Sequence, residues 1–129
     1  MLETGLKGAA EVRVQFLNTA TGLGSGTLEV FATPSMIALM EKAAMESVLP
    51  RLEEGQSTVG ISLDVEHLAS TPVGMTVRAE SELTAIDGRV LTFEVTAFAG
   101  GELIGRGTHK RCIVSNERFM AKALAKREA

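Results

Sequence analysis

Residues 33–49, TPSMIALMEKAAMESVL, form the longest apolar segment with helical periodicity in the chain. Its apolar side chains recur at three- and four-residue spacing, and they leave only a narrow polar stripe at Ser35, Lys42 and Glu46. The opening threonine and proline suit a helix start, since a hydroxyl can cap free backbone N–H groups and proline lacks only an unused donor there. We therefore predict a helix from Thr33 to about Leu49, buried on most sides, with Pro50 ending it or lying in a last irregular turn.

The rest of the chain is dominated by patterns typical of strands. Residues 8–16 alternate, with Val12, Val14 and Phe16 on one side. Four further strand-like stretches cover residues 57–68, 75–86, 90–99 and 102–114. Tight turns are predicted at Asp87-Gly88 and Gly100-Gly101. The last three strands should therefore form an antiparallel meander.

Two segments lie outside these strands. Residues 18–26 are rich in Gly, Ser and Thr, which predicts a mobile loop that packs no core. Asn116 can cap a final helix that runs to about Lys126. We therefore expect a single α+β domain over residues 1–129, in which an antiparallel β-sheet wraps around a long central helix and a short C-terminal helix follows. This arrangement is the hotdog fold.

Composition excludes several classes of partner. The net charge of −3 and the pI near 5.4 give no positive field for a nucleic-acid backbone. No stretch is long and apolar enough to cross a bilayer, and the N-terminus lacks the pattern of a secretory signal. The single cysteine, Cys112, excludes an internal disulfide and fits a reducing compartment. We expect a cytoplasmic protein that binds neither nucleic acid nor a membrane.

Glu41 is the one charge on an otherwise apolar helix face. The three- and four-residue spacing places it with Ile37, Ala44, Met45 and Val48. A buried carboxylate is costly unless donors compensate it, and such groups are concentrated at functional sites. The structural alternative is that Glu41 lies at the edge of the face and reaches water or caps a neighbouring strand.

Two more residues could act beside Glu41. Alternation in residues 57–68 places His67 at the end of an apolar row, where an imidazole could orient a carboxylate or transfer a proton. Thr33 lies at a helix N-terminus, whose dipole favours the negative charge that develops on an oxygen during acyl transfer. Each has a structural alternative, a strand-end histidine for His67 and a helix cap for Thr33.

The last predicted strand carries His109 and Arg111. We expect His109 to be structural, because two histidines far apart in sequence do not make a metal site. Arg111 could meet a carboxylate or a phosphate, although an exposed strand arginine is the commoner case. Cys112 is expected in the core rather than as a nucleophile.

Three groups of motifs resemble the fluoroacetyl-CoA thioesterase-like branch of the hotdog thioesterases. They are VFAT (30–33) with LME (39–41), VEHLASTPVGM (65–75) and GRGTHKR (105–111). The similarity covers nearly the whole chain after Thr27. The resemblance implies a thioesterase that hydrolyses an acyl-CoA or related acyl thioester to a carboxylic acid and a thiol.

The resemblance also implies roles for residues of this chain. Thr33, Glu41 and His67 match the catalytic threonine, glutamate and histidine. The backbone N–H of Gly60 and the side chain of Arg111 match positions near the substrate. We expect a homodimer, and the sequence leaves open whether dimers pair into tetramers. We expect no metal or prosthetic cofactor, because a thioester is already an activated acyl donor.

One departure concerns residues 18–28, which contain none of the aromatic residues that form a selective lid in the fluoroacetyl-specific members. A general short- or medium-chain acyl-CoA is therefore the expected substrate. Two other functions stay open: a non-catalytic acyl-CoA-binding or regulatory module, and a hydratase or dehydratase of enoyl or hydroxyacyl thioesters. The sequence leaves open covalent and general-base mechanisms, and coenzyme A or protein-bound pantetheine as carrier.

Overall fold

The alternating stretches form five antiparallel strands in the computed structural model, which describes residues 1–128. The strands are β1 (Lys7–Arg13), β2 (Gln56–His67), β3 (Thr76–Asp87), β4 (Val90–Ala99) and β5 (Glu102–Ser115). The helices are α1 (Ala20–Leu23), α2 (Thr33–Val48) and α3 (Asn116–Ala125). The strand order is β1-β3-β4-β5-β2. The predicted fold class, an antiparallel sheet with a long helix and a short C-terminal helix, is confirmed.

Helix α2 packs its apolar face against the sheet and forms the core with β1, β3 and β4. The fully buried side chains include Met36, Met40, Ala43, Ala44 and Val48 from the helix, and Val77, Leu83, Leu91 and Phe93 from the sheet. The buried face of α2 is narrower than predicted, because Ile37, Glu41 and Met45 stay partly exposed. Pro50 lies in a 3₁₀ turn, Leu49–Arg51, which confirms the predicted irregular last turn.

None of the helices within residues 1–128 combines the length and apolar character needed to cross a membrane.

Helix α3 is capped by Ser115, whose hydroxyl accepts a hydrogen bond from the Arg118 N–H. Asn116, predicted as the cap, is the first helical residue.

Strand β2 contains a bulge that reverses its alternation. Gly60 pairs with Arg111, and the next paired residue is Ser62, so Ile61 is the extra residue. Gly60 faces the Glu41 side chain of α2, and His67 also bonds to α2. Seven positions separate the two residues, and strict alternation would have placed them on opposite faces. The prediction of one uninterrupted apolar row from Val59 to His67 is therefore wrong.

The segment after β1 also differs from its prediction. The strand ends at Arg13, and Phe16 is 51% exposed in a 3₁₀ turn rather than on the apolar side of the strand. The Asn18 side chain closes this turn by accepting from the Gln15 N–H and donating to the Arg13 carbonyl. Asparagine commonly stabilises turns through such local bonds, which compete with the strand ladder.

The predicted mobile loop at residues 18–26 contains helix α1. Thr19 is fully buried, donates to the Phe16 carbonyl at 2.6 Å and accepts from the Gly22 N–H at 3.1 Å. None of residues 18–26 belongs to the hydrophobic core, as predicted, but the segment is built around a buried capping threonine that starts a helix.

Candidate active site

A groove of about 860 Å³ opens where α2 begins and β2 ends. Its lining is largely apolar, and it includes Thr33 and Glu41 from α2 and His67 from β2. Ala20 and Ser25, from α1 and the turn after it, line another side. The structure therefore brings the three predicted catalytic residues to one cavity.

Backbone pairing holds the start of α2 beside the end of β2. The Phe31 N–H donates to the Thr71 carbonyl at 2.8 Å, and Val30 forms a bridge with Pro72. The chain leaving β2 is fixed in turn, since the Leu68 N–H donates to the Ile104 carbonyl at 2.7 Å. The two catalytic candidates at these ends, Thr33 and His67, are thus positioned by main-chain bonds as well as by their own contact.

Thr33 Oγ1 lies 2.7 Å from His67 Nδ1. Ala32 occupies the N-cap position of α2, and no side chain caps the helix there. Thr33 is the first helical residue, and its hydroxyl bonds to the imidazole instead of to the backbone. The helix-cap alternative for Thr33 is therefore wrong.

The second nitrogen of His67, Nε2, is buried and has no hydrogen-bond partner among the described residues. Burial lowers the pKa of His67 below its ordinary value of 6.5, and the backbone of Ala69 opposes this effect. Burial therefore favours the neutral form of the imidazole. A buried polar atom without a partner is unusual in a folded protein, and it leaves Nε2 with an unused bonding position.

The Glu41 carboxylate lies between the groove and the sheet. Its Oε2 is 3.5 Å from Arg111 Nη1 and 4.0 Å from His109 Nε2, and the side chain is 36% exposed. A Cβ atom at position 60 would lie 2.5 Å from Oε2. Glu41 therefore needs a glycine opposite it, and an arginine compensates its charge.

Arg111 is buried, with 6% of its surface exposed. Its Nε donates to Thr58 Oγ1 at 2.7 Å, and its Nη2 donates to the Thr58 carbonyl at 2.9 Å. Burial lowers the pKa of Arg111, and the charge of Glu41 opposes the change. The alternative that Arg111 is an exposed strand residue is therefore wrong, and the expected contact with a carboxylate is confirmed.

Gly60 and Arg111 contact Glu41, and neither lines the groove within a single copy of the chain. Their implied roles in substrate binding stay predictions. Sequence reasoning missed Thr58 entirely and gave His109 no part in the site. If the bulge in β2 had been known, Thr58 would have been assigned to the side of the strand that faces Arg111. Alternation in the sequence alone does not reveal a bulge.

The sequence model of the fluoroacetyl-CoA-specific thioesterase family matches residues 14–117. The chain belongs to this family. The fluoroacetyl-CoA thioesterase of Streptantibioticus cattleyicolor is 43% identical over 101 residues, which cover 78% of this chain and 73% of that protein. Family membership confirms the predicted resemblance, and with it the expectation of an enzyme that hydrolyses acyl thioesters.

Solved structures of thioesterases share the whole architecture. A structure of the fluoroacetyl-CoA thioesterase FlK superposes with a TM-score of 0.92 at 35% identity, covering 98% of each chain. A hypothetical protein of Thermus thermophilus from the thioesterase superfamily has a TM-score of 0.91 at 30% identity, covering 98% of this chain and 93% of that one. The fold of this family member is therefore the thioesterase fold from end to end.

Replacing Gly60 by alanine should displace the Glu41 carboxylate. Gly60 is not among the glycines with positive φ, so the backbone accepts alanine, but the new methyl group would crowd Oε2. Misplacement of a reacting group by about 1 Å can cost about 10²-fold, so we expect a fall of that order in thiol release from acyl-CoA. Ser62→Ala, with an exposed side chain on the same strand, is the control. Wild-type activity in Gly60→Ala would contradict this prediction.

The imidazole of His67 should titrate below 6.5 because burial disfavours its charged form. Nitrogen-15 NMR of the ring measures this directly, with His67→Gln and His109→Gln used to assign the signals. If neutral His67 is the reactive form, hydrolysis should persist as the pH falls to 6.5 and decline only through the lower pKa. Titration of His67 above 6.5 would refute the prediction.

Proposed function

We propose that this thioesterase acts on acyl-CoA through Thr33, Glu41 and His67. The observation that carries the proposal is the 2.7 Å contact between Thr33 Oγ1 and His67 Nδ1 in a groove that Glu41 also lines. A concave, mostly apolar site with a few convergent polar groups suits an acyl chain attached to a reactive carbonyl. The net reaction adds water to the carbonyl carbon, breaks the carbon–sulfur bond and releases a carboxylic acid and a thiol.

In this mechanism the Glu41 carboxylate either removes a proton from water or attacks the thioester carbonyl itself. The first route gives the acid in one hydrolytic step. The second gives an anhydride between Glu41 and the acyl group, which water then cleaves. Both routes end with a proton on the departing sulfur, and Arg111 keeps the carboxylate in place in either one.

His67 is the group that moves this proton. A neutral imidazole can accept a proton at Nε2 or donate one from it, depending on which nitrogen carries hydrogen. If the Thr33 hydroxyl donates to Nδ1, Nε2 carries hydrogen and can donate to the developing oxyanion or thiolate. If Nδ1–H donates to Thr33, Nε2 is the base. Thr33 thus sets the ring orientation and, through its direction of donation, the tautomer.

The substrate class that we propose is short- and medium-chain acyl-CoA. Ala20 and Ser25 line the groove where an aromatic side chain would narrow it. A variant of the related enzyme FlK has been solved in complex with acetyl-CoA. The proposal requires no metal or prosthetic cofactor, since the thioester is already activated.

The test is thiol release from a panel of acyl-CoA thioesters, from acetyl to lauroyl with one aryl member. Glu41→Gln and His67→Gln should each lower kcat by about 10²–10⁴-fold, the range attributed to positioned acid–base groups. Thr33→Val should lose activity, whereas Thr33→Ser keeps the hydroxyl and should retain most of it. Circular dichroism and thermal melting establish that each variant is folded.

The same panel separates the alternatives. Acyl-CoA binding without thiol release would support a binding or regulatory module. Hydration of crotonyl-CoA without thiol release would support a hydratase. Full activity in folded Glu41→Gln and His67→Gln variants would refute the assigned roles.

We propose that the working unit is a homodimer joined along β2. This strand pairs only with β5 within residues 1–128, so its outer edge is open. Ile61 and Leu63 on it are 52% and 40% exposed. An open edge strand with exposed apolar side chains can pair with another chain, and a second β2 would extend the sheet.

Light scattering should give a mass of twice the 13.7 kDa chain, or four times if dimers pair into tetramers. Ile61→Lys places a charge at the proposed contact and should shift the mass toward one chain. Ile86→Lys is a matched control, because Ile86 is 39% exposed on β3, away from this edge. A monomeric wild type would refute the dimer.

We also propose that the enzyme resides in the cytoplasm. Its one cysteine, Cys112, is a free thiol. Cysteine used in this way is ordinary in a reducing compartment, where disulfides contribute little to stability.

A further inference from the structure

We propose that His109 and Thr58 are positioning residues, which hold the Arg111 guanidinium so that it fixes the Glu41 carboxylate at the groove. The inference rests on the proposed role of Glu41 in thioester hydrolysis. Neither His109 nor Thr58 lines the groove, so both would act through Arg111 rather than on substrate.

Thr58 determines the plane of the guanidinium. Its hydroxyl and its carbonyl accept from two different nitrogens of Arg111, Nε and Nη2, at 2.7 and 2.9 Å. Two such bonds leave a planar group no freedom to rotate. The remaining nitrogen, Nη1, is thereby directed at His109 and Glu41.

His109 is held as a neutral acceptor for that nitrogen. Its Nδ1 lies 2.9 Å from the Ser62 carbonyl oxygen, which can only accept, so Nδ1 carries the hydrogen. Its Nε2 lies 3.1 Å from Arg111 Nη1, which can only donate, so Nε2 presents its lone pair. Both partners therefore select one tautomer, and a protonated ring would place two donors against each other.

The surroundings of His109 agree with this assignment. The ring is fully buried and stacks on Phe93, with centroids 6.2 Å apart and an interplanar angle of 29°. Burial lowers the pKa of His109 and the positive charge of Arg111 adds to this, while the bond to the Ser62 carbonyl and the charge of Glu41 oppose it. With the lone pair of His109 Nε2 facing Arg111, the positive charge beside the Glu41 carboxylate comes from Arg111.

The residues of β2 that take part in this assembly lie on both sides of its bulge. Before Ile61, Thr58 and Gly60 face Arg111 and Glu41; directly after it, the Ser62 carbonyl reaches His109. Strand β2 therefore supplies the acceptors for Arg111 and the space for Glu41 before the bulge, and the bond that selects the His109 tautomer after it.

Matched variants test the proposal in the full-length enzyme. Thr58→Val keeps the shape and removes the side-chain acceptor, whereas Thr58→Ser keeps it. His109→Phe keeps the stack and removes both nitrogens, whereas His109→Gln offers one donor and one acceptor. We expect Thr58→Val and His109→Phe to lower kcat by about 10–10²-fold with little change in KM, because a reacting group is misplaced while the groove is intact. Thr58→Ser and His109→Gln should retain most of the wild-type kcat.

A second readout does not depend on activity. In wild type the Arg111 Nε–H should give a protected nitrogen-15 NMR signal, because it is buried and bonded to Thr58. We expect this signal to exchange fast or shift in Thr58→Val and His109→Phe, and crystal structures of both to show Glu41 displaced from Arg111. If wild type hydrolyses no thioester, the proposed function fails, while an unmoved Glu41 in both variants separately overturns the positioning proposal. Equal activity in all four variants, or equal loss in all four, also overturns it.

Discussion

The buried guanidinium of Arg111 is the group on which the arrangement of the site depends. Burying a guanidinium costs about several kcal/mol of hydration free energy unless its N–H donors and its charge are compensated within the protein. Thr58 satisfies two nitrogens, and His109 and Glu41 share the third. The carboxylate that the sequence placed on the apolar face of α2 therefore compensates a charge that the sheet buries.

This pairing links the two layers of the fold. Helix α2 carries Glu41 and packs on the sheet through fully buried methionine, alanine and valine side chains. Strand β5 carries Arg111, and edge strand β2 carries its acceptors. A helix that slid by one turn would move Glu41 by about 5.4 Å, and the arginine would lose its partner. Core packing and charge compensation thus fix the same helix position, and Thr33 meets His67 at the end of that helix.

The two ends of the site are built differently. At the Thr33 end, a bond between two side chains faces the groove and leaves His67 Nε2 without a partner among the described residues. At the Arg111 end, each of the three guanidinium nitrogens has a partner, and the group lies behind the groove. An unsatisfied buried nitrogen is a cost that binding of a ligand can remove, whereas the satisfied arginine gives rigidity. Glu41 lies between an end with an unused bonding position and an end that is rigidly bonded.

Most of the elements, and the candidate residues at the groove, could be predicted from the sequence. Helix α2, strands β2 to β5, the Pro50 turn and the family were all available from periodicity, turn chemistry and motifs, because these signals are local. Thr33, Glu41 and His67 were found for the same reason, as polar residues at defined positions of local patterns. The tertiary structure alone decided the bulge at Ile61, the burial of Arg111, the bonding of Thr58 and His109, and the folding of residues 18–26 around Thr19. These features depend on the register between strands distant in sequence, and one inserted residue reverses which side chains face the helix.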